Sequence, residues 1–164
     1  MADQLEKQVF KVGKKLQQIP HSKYYFLEIL KQVESILSKV GQYPSHVMLE
    51  AIHPLGGELF TQELLRHWNG DVSLLVATYI SDITIIRAPN APYKDDVLRD
   101  IFRLIITTFL SLDDIGGPLF GRRVTILETV AKIELCVLML DMGCDDLILE
   151  MFYIFFYVVS EAHP

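Results

Sequence analysis

The chain has 164 residues, of which 51% are hydrophobic and 22% charged, and its formal net charge is −6. The length suits one domain with a substantial core, and the acidic balance argues against wrapping of nucleic acid, which needs a basic surface. Charged residues interrupt the apolar runs of the last third, so we expect buried helices there and no bilayer span, which would need about 20 apolar residues.

The first 41 residues have the periodicity of two amphipathic helices that pair as a hairpin. Leu5, Val9, Val12 and Leu16 form the apolar stripe of the first, which ends at Pro20, and Ser22 is expected to cap the second, which ends at Gly41. This region has seven lysines against four acids, whereas residues 42–164 have eight basic and seventeen acidic residues. We favour a solvated lysine face over phosphate contact. No signal peptide is predicted, which indicates cytoplasm or nucleus.

A third helix is predicted to begin at Ser45, with a kink at Pro54, where the ring removes a backbone donor. Its predicted apolar side contains Val47, Met48, Ala51, Ile52 and Leu55. A short helix after Thr61 and a turn at residues 68–70 follow. Asp71 is then predicted to cap a strong helix, DVSLLVATYISDITIIR, whose apolar stripe is broad enough to need neighbours on two sides.

A stiff segment, APNAPY at residues 88–93, separates that helix from the next one. Pro89 and Pro92 hold φ near −65° and disfavour helix at the residue before them, so a rigid corner is predicted. Tyr93 is expected to pack against the adjoining helices. A purely architectural role is favoured for this corner on general grounds.

After the corner, Asp95 or Asp96 is predicted to cap a helix that runs to about Leu112. The residues predicted to face inward are Val97, Leu98, Ile101, Phe102, Ile105 and Phe109. The alternative to the purely architectural role is that Tyr93 and these two acids also receive a basic-aromatic peptide from a partner. The sequence DDIGGP at residues 113–118 then breaks the chain.

Three more helices are predicted beyond residue 118. The first has an apolar face of Phe120, Val124, Leu127, Val130 and Ala131. The second runs from Leu135 to Leu140 and stops at Gly143. Asp145 or Asp146 is predicted to cap the last, LILEMFYIFFYVVS, which is apolar nearly all round.

The helical periodicity predicts an all-α chain of about eight or nine helices in a single domain. Helix starts recur near residues 45 and 95 and near 71 and 118, separations close to the roughly 40–47 residues of HEAT units. We therefore favour a HEAT- or armadillo-like α-solenoid, with an N-terminal hairpin over 1–41 and repeats over 45–164, above a helical bundle.

No catalytic residue, metal site or cofactor is assigned from the sequence. Glu50 and His53 have a metal-binding spacing, but a ferritin-like site needs a second such pair and two more glutamates. His46, His67 and Cys136 lie in none of the usual zinc or hydrolase signatures. Cys136 and Cys144 are interpreted as reduced thiols, mostly buried. An enzyme with a metal in a helical bundle is kept as a hypothesis, ranked below the two binding functions given at the end of this section.

Arg122 and Arg123 lie at a predicted helix start, where the helix dipole disfavours cations. One hypothesis is that they capture an anion or an acidic peptide. The favoured alternative is that they pair with the nearby Asp113 and Asp114.

The segment from Leu74 to Phe102, followed by GGPLFGRRVTILET at 116–129 and CDDLILEMF at 144–152, resembles a known family. This is the family of cohesin regulators named for precocious dissociation of sisters, fifth of that name, especially its plant members. The resemblance implies a HEAT-repeat protein without enzymatic activity that sits on cohesin in the nucleus. It further implies contacts with the kleisin subunit and with release or maintenance factors, and roles in sister chromatid cohesion and DNA repair.

Members of that family usually run on for many hundred residues, so the chain is expected to be a truncated or shortened member. Its C-terminal helix has five aromatic residues that a following repeat would cover, which predicts self-association or low solubility: Phe152, Tyr153, Phe155, Phe156 and Tyr157. The competing functional hypothesis is a helical adaptor in cytoplasmic transport or trafficking.

Overall fold

The computed structural model describes residues 2–18, 22–41, 44–57, 62, 64–65, 71–87 and 93–162. The described residues form eight α-helices and one 3₁₀ turn, and they contain no strand. The helices are α1 (Ala2–Gln17), α2 (Lys23–Leu37), α3 (His46–Ile52), α4 (Asp71–Arg87), α5 (Asp95–Thr108), α6 (Phe120–Lys132), α7 (Leu135–Asp141) and α8 (Asp145–Ala162), with the 3₁₀ turn at Phe109–Ser111.

The predicted all-α class is confirmed, and this succession of short helices is consistent with a HEAT-like helical solenoid. Within the described residues, no helix combines the length and apolarity that crossing a bilayer requires. The chain divides into two compact units, Met1–Tyr93 and Lys94–Pro164. Each unit is described separately below.

The first unit is built around α2 and α4. Helix α1 packs against α2 and α3, and α2 packs against α4. The predicted stripe of α1 is buried at Val9, Val12 and Leu16. Helix α4 is buried on most of its surface, as its broad apolar stripe predicts. Its fully buried residues include Val76, Ala77, Tyr79, Ile80 and Ile83.

The predicted kink at Pro54 is wrong, because α3 ends at Ile52 before the proline is reached. Proline is common one or two residues after a helix C-cap, since it cannot continue the helix. His53 is that C-cap, and the chain turns as the backbone N–H groups of Leu55 and Gly56 donate to Ile52 O. The start of α3 is as predicted: Ser45 Oγ accepts a hydrogen bond from Met48 N at 3.1 Å.

The second unit has the 3₁₀ turn at its centre, in contact with α5, α6 and α8. Phe109 in this turn is fully buried, and its ring stacks on Phe155 of α8 with the centroids 5.5 Å apart. Helix α5 and the 3₁₀ turn together bury every residue predicted to face inward. These residues are Val97, Leu98, Ile101, Phe102, Ile105 and Phe109.

The predicted apolar face of α6 is confirmed in part, since Val130 is buried and Phe120, Val124 and Leu127 are half-buried. Ile126, Thr129 and Val130 are buried, whereas Ala131 is exposed. The helix can bury Thr129 because its hydroxyl donates to Thr125 O at 2.9 Å, so no polar group is left unsatisfied. The buried face is therefore rotated around the helix relative to the prediction, toward Ile126 and Thr129, because hydrophobic periodicity counts threonine as polar.

Helix α7 ends as predicted at Gly143, which adopts a left-handed φ of 66°. The backbone N–H of Gly143 donates to Leu140 O at 2.9 Å and that of Cys144 donates to Met139 O at 2.8 Å. These two bonds form a Schellman motif, in which Cys144 and Met139 make the usual apolar closure, since both are buried. Cys144 is thus a free, buried thiol with a packing role, and Cys136 is also free.

The aspartates predicted as caps lie inside the first turns of their helices, whereas Ser22 has its predicted position. Ser22 is at the N-cap of α2 with an extended backbone, but its hydroxyl makes no capping hydrogen bond. Lys94, and not Asp95 or Asp96, is the N-cap of α5. Helices α4 and α8 begin at Asp71 and Asp145 themselves. The acids of α5 and α8 lie in first turns, where the helix dipole stabilises negative charge.

Candidate partner-binding surfaces

The start of α5 presents the acids that the sequence places at the corner. Asp95 and Asp96 are exposed in the first turn, and Asp96 Oδ1 accepts a hydrogen bond from Val97 N at 2.9 Å. Pro89 and Pro92 lie outside the described residues, so the predicted corner remains a prediction. The two carboxylates form an exposed acidic pair on a fixed helix end.

Tyr93 belongs to the core of the first unit. Its side chain is only 7% exposed, which agrees with the predicted packing and leaves little of the ring for a partner. It neighbours Tyr79, whose hydroxyl donates to Leu55 O at 2.5 Å. Burial, with a smaller contribution from Tyr93, raises the pKa of Tyr79 well above its ordinary value. Any partner role for Tyr93 therefore remains a prediction.

Arg122 and Arg123 lie in the first turn of α6, as predicted, and both are half-buried. Nη1 of Arg123 is buried and has no hydrogen-bond partner among the described residues. The carboxylate of Asp114 lies over Gly117, where an added Cβ would come within 1.9 Å of Oδ2. Neither hypothesis for the two arginines is decided by this arrangement.

A groove of about 580 Å³ opens in the first unit beside α3 and the end of α4. Glu50 points to His46, with 3.6 Å between Oε1 and Nδ1, while His53 lies further along the groove. Arg87 crosses Gly56, where a Cβ would meet Nη1 at 2.8 Å. No group of three or more metal-binding side chains occurs within the described part of the chain. His67 lies outside that part.

Helix α8 exposes a large apolar surface, which we call the aromatic face. Tyr153 is 76% exposed and Phe156 is 71% exposed. The other exposed members of the face are Leu149, Phe152, Tyr157 and Val159. A groove of about 630 Å³ runs along part of this face beside Leu110. Of the five rings singled out from the sequence, Phe155 turns inward onto Phe109.

The pairing of Arg99 with Asp146 was not predicted from the sequence. These side chains join the start of α5 to the start of α8 across 47 positions of sequence, and both are partly exposed. The Arg99 guanidinium holds the pKa of Asp146 below its usual value through their hydrogen bond. The sequence did offer one indication of this pair. Both helices begin with aspartates, and one of these could form an ion pair with a cation near the start of the other helix.

Comparison with known proteins places this chain among proteins of sister chromatid cohesion. A family profile described as "Sister chromatid cohesion protein PDS5 protein" matches residues 25–164. The chain is 46% identical over its whole length to Arabidopsis thaliana "Sister chromatid cohesion protein PDS5 homolog A" and 40% identical over 98% of its length to homolog C. It is 36% identical to the Homo sapiens homolog A over 67% of its length.

The chain spans only a small part of these relatives. It covers 10% of the length of the Arabidopsis homolog A, 18% of homolog C and 8% of the human protein. The match confirms the resemblance noted from the three ordered sequence motifs. It favours the cohesion hypothesis over the transport adaptor and the metal-containing enzyme.

Proposed function

The chain belongs to the PDS5 family of sister chromatid cohesion proteins, and from this premise we propose that it is a non-enzymatic HEAT-type scaffold associated with the cohesin complex. It regulates sister chromatid cohesion and DNA repair in the nucleus through protein contacts. Its partners in this proposal are the kleisin subunit and the factors that release or maintain cohesin. The observation that carries the proposal is the continuous family match from residue 25 to residue 164.

The acidic pair at the start of α5 is the surface we assign to a basic-aromatic partner peptide. Asp95 and Asp96 are exposed and lie on a helix end, so they present two fixed negative charges. Tyr93 is buried in the core of the first unit and is not itself available to the peptide. Removing Tyr93 would therefore test the fold more than the contact.

Capture of cohesin from nuclear extract tests this proposal. Asp95→Asn with Asp96→Asn removes both charges and keeps the side-chain shape. Exposed charge pairs contribute about 0.2–1 kcal/mol each, so two lost pairs predict a roughly 2- to 30-fold weaker interaction. Glu128→Gln with Asp141→Asn removes two other exposed acids of the same unit and serves as the matched control.

Three results are informative. Recovery of cohesin by the wild type and the control, with a loss in the Asp95/Asp96 variant, supports both the function and the surface. Equal recovery by all three moves the contact elsewhere while leaving the function intact. A folded wild-type chain that recovers no cohesin component would contradict the proposed function.

Arg122 and Arg123 are proposed as a secondary contact for an acidic segment. Both side chains are partly exposed in the first turn of α6, which supports this assignment. Arg122→Gln with Arg123→Gln should weaken capture of cohesin in the same assay. Unchanged recovery would leave the two arginines with a structural role only.

Self-association through the aromatic face is the last part of the proposal. Aromatic side chains bury about 150–250 Å² each, and Tyr153 and Phe156 are each more than two-thirds exposed. The four exposed rings of α8 thus offer roughly half or more of the ~800 Å² per partner that a standard interface buries.

Sedimentation velocity tests this association. The wild type should form dimers or larger species as its concentration rises, and Tyr153→Ser with Phe156→Ser should restore the monomer. Phe10→Ser with Tyr24→Ser removes two exposed rings from the other unit as a control and should leave association unchanged. A wild-type chain that stays monomeric at high concentration would refute this part.

A further inference from the structure

The exposed side of α1 carries four lysines that the proposed protein contacts do not use. Lys7, Lys11, Lys14 and Lys15 are all exposed, while Val9, Val12 and Leu16 are buried on the opposite side. The other exposed residues of that side are also uncharged, namely Gln4, Gln8, Phe10 and Gln18. We call this surface the lysine face.

The acid of α1 whose side chain the structure describes is engaged with another helix. Among the α1 side chains that the structure describes, Glu6 carries the one negative charge, and its Oε1 accepts a hydrogen bond from Ser45 Oγ at 3.1 Å. This contact directs the carboxylate toward the start of α3. Lys14 is held in place over the ring of Phe10, with Nζ 4.6 Å from the centroid.

The spacing of these charges matches one strand of duplex DNA. Eight residues separate Lys7 from Lys15, which is about 12 Å along a helix at 1.5 Å per residue. One DNA strand presents a phosphate every 3.4 Å or so along the axis, hence roughly three to four phosphates over that length. Four lysines therefore face about the same number of phosphates.

We propose that the lysine face binds the phosphate backbone of duplex DNA without sequence preference. A convex helix fits the outside or the major groove of a duplex. The glutamines add neutral donors of the kind that also contact phosphates. The acidic remainder of the chain keeps this binding weak and confined to α1, which is consistent with a protein that does not wrap nucleic acid.

Salt dependence provides the test. Fluorescence anisotropy with a labelled duplex of about 24 base pairs should show the dissociation constant rising with salt with a log–log slope of about 3.6, since each neutralised phosphate contributes about 0.9. Between 50 and 200 mM salt this is a loss of roughly 100-fold in affinity.

Two variants locate the binding surface. Lys11→Gln with Lys14→Gln keeps helix propensity and should lower the slope by about 2. The affinity of this variant for the duplex should then fall only about tenfold over the same salt range. Lys39→Gln with Lys132→Gln removes the same charge from exposed positions outside α1 and should keep the wild-type slope. Circular dichroism verifies that both variants fold.

Several outcomes would overturn the proposal. These are no duplex binding at 50 mM salt, an equal loss of slope in the control variant, or binding of single strands or poly-glutamate in preference to the duplex. The last result would assign the face to an acidic protein segment. None of these outcomes bears on capture of cohesin, so the two proposals fail independently.

Discussion

Helices α4 and α8 are both strongly apolar, yet they lie in opposite environments. In α4, the residues Val76, Tyr79, Ile80 and Ile83 are fully buried. In α8, the buried residues form one narrow stripe at i, i+4, i+7 and i+11, namely Leu147, Met151, Ile154 and Val158. The rest of α8 is largely exposed, including Tyr153 and Phe156.

The difference teaches that an apolar sequence identifies a helix that needs other surfaces to cover it. It does not reveal how many neighbouring helices within this chain provide that cover. Helix α4 is covered by other parts of the first unit, so substitution of its buried residues should change the stability of the fold. Large exposed apolar patches on a folded protein mark interaction surfaces, so substitution of α8 should act mainly on association. The experiments below test this contrast, beginning with the largest expected effect.

Truncation of a fully buried α4 residue should give the largest loss of stability. Ile83→Ala deletes buried methylene and methyl groups and leaves a cavity, at a cost of about 2–5 kcal/mol in the free energy of unfolding. Urea unfolding followed by circular dichroism measures it. Leu149→Ala on the exposed side of α8 is the matched comparison and should change stability by only about 0.5 kcal/mol. Equal losses would abolish the contrast.

Removal of the Tyr79 hydroxyl should cost about 1–3 kcal/mol, because Leu55 O would be left buried without its donor. Burial raises the pKa of Tyr79 in the folded state. The neutral hydroxyl therefore contributes its full stabilisation to the fold below the unfolded pKa of about 10. It is lost as pH rises further, since the unfolded tyrosine ionises first.

Urea unfolding of wild type and Tyr79→Phe between pH 7 and pH 11 measures this effect. The stability gap between the two proteins should be constant up to about pH 10 and narrow above it. A gap that does not change with pH would show that Tyr79 titrates alike in the folded and unfolded chains.

Gly143 ends α7 directly before α8, and its substitution tests how the start of α8 is fixed. Gly143→Ala should cost about 1–2 kcal/mol, because a φ of 66° is unfavourable for a residue with a Cβ. No atom lies within 4 Å of the added Cβ, so the cost is conformational. Gly121→Ala also meets nothing within 4 Å but is helical, and it should stabilise by about 0.5–1 kcal/mol.

The Arg99–Asp146 pair should have the smallest effect, because both side chains are partly exposed. The lowered pKa of Asp146 means that its contribution is present above the unfolded pKa of about 3.9 and is lost as pH falls through the folded value. Asp146→Asn should therefore lower the thermal midpoint slightly at neutral pH and not at all at low pH or high salt. A salt-independent loss would assign the effect to packing.

The sequence predicted well those features that depend on local chemistry. The broad stripe of α4, the inward residues of α5 and the stop at Gly143 follow from periodicity and from the freedom of glycine at positive φ. The cap of α3 at Ser45 is also a local feature, since a hydroxyl can satisfy a free N–H of the first turn.

Features that depend on tertiary neighbours were not predicted. The side of α6 that meets the core includes Thr129, which only a satisfied hydroxyl allows. Val47 is exposed although it lies beside the apolar residues of α3. Within the candidate surfaces, no periodicity distinguishes Phe155, which stacks on Phe109, from its exposed neighbour Phe156. The tertiary structure decides what each side chain contacts, and the local sequence around that side chain does not.

Hydrogen–deuterium exchange of the chain with and without purified cohesin tests the central claim most directly. The account predicts that cohesin slows exchange at the start of α5, beside Asp95 and Asp96, while α4 exchanges slowly in both samples because it is already buried. A folded chain whose exchange is unchanged everywhere by saturating cohesin would contradict the claim that its exposed surfaces serve cohesion.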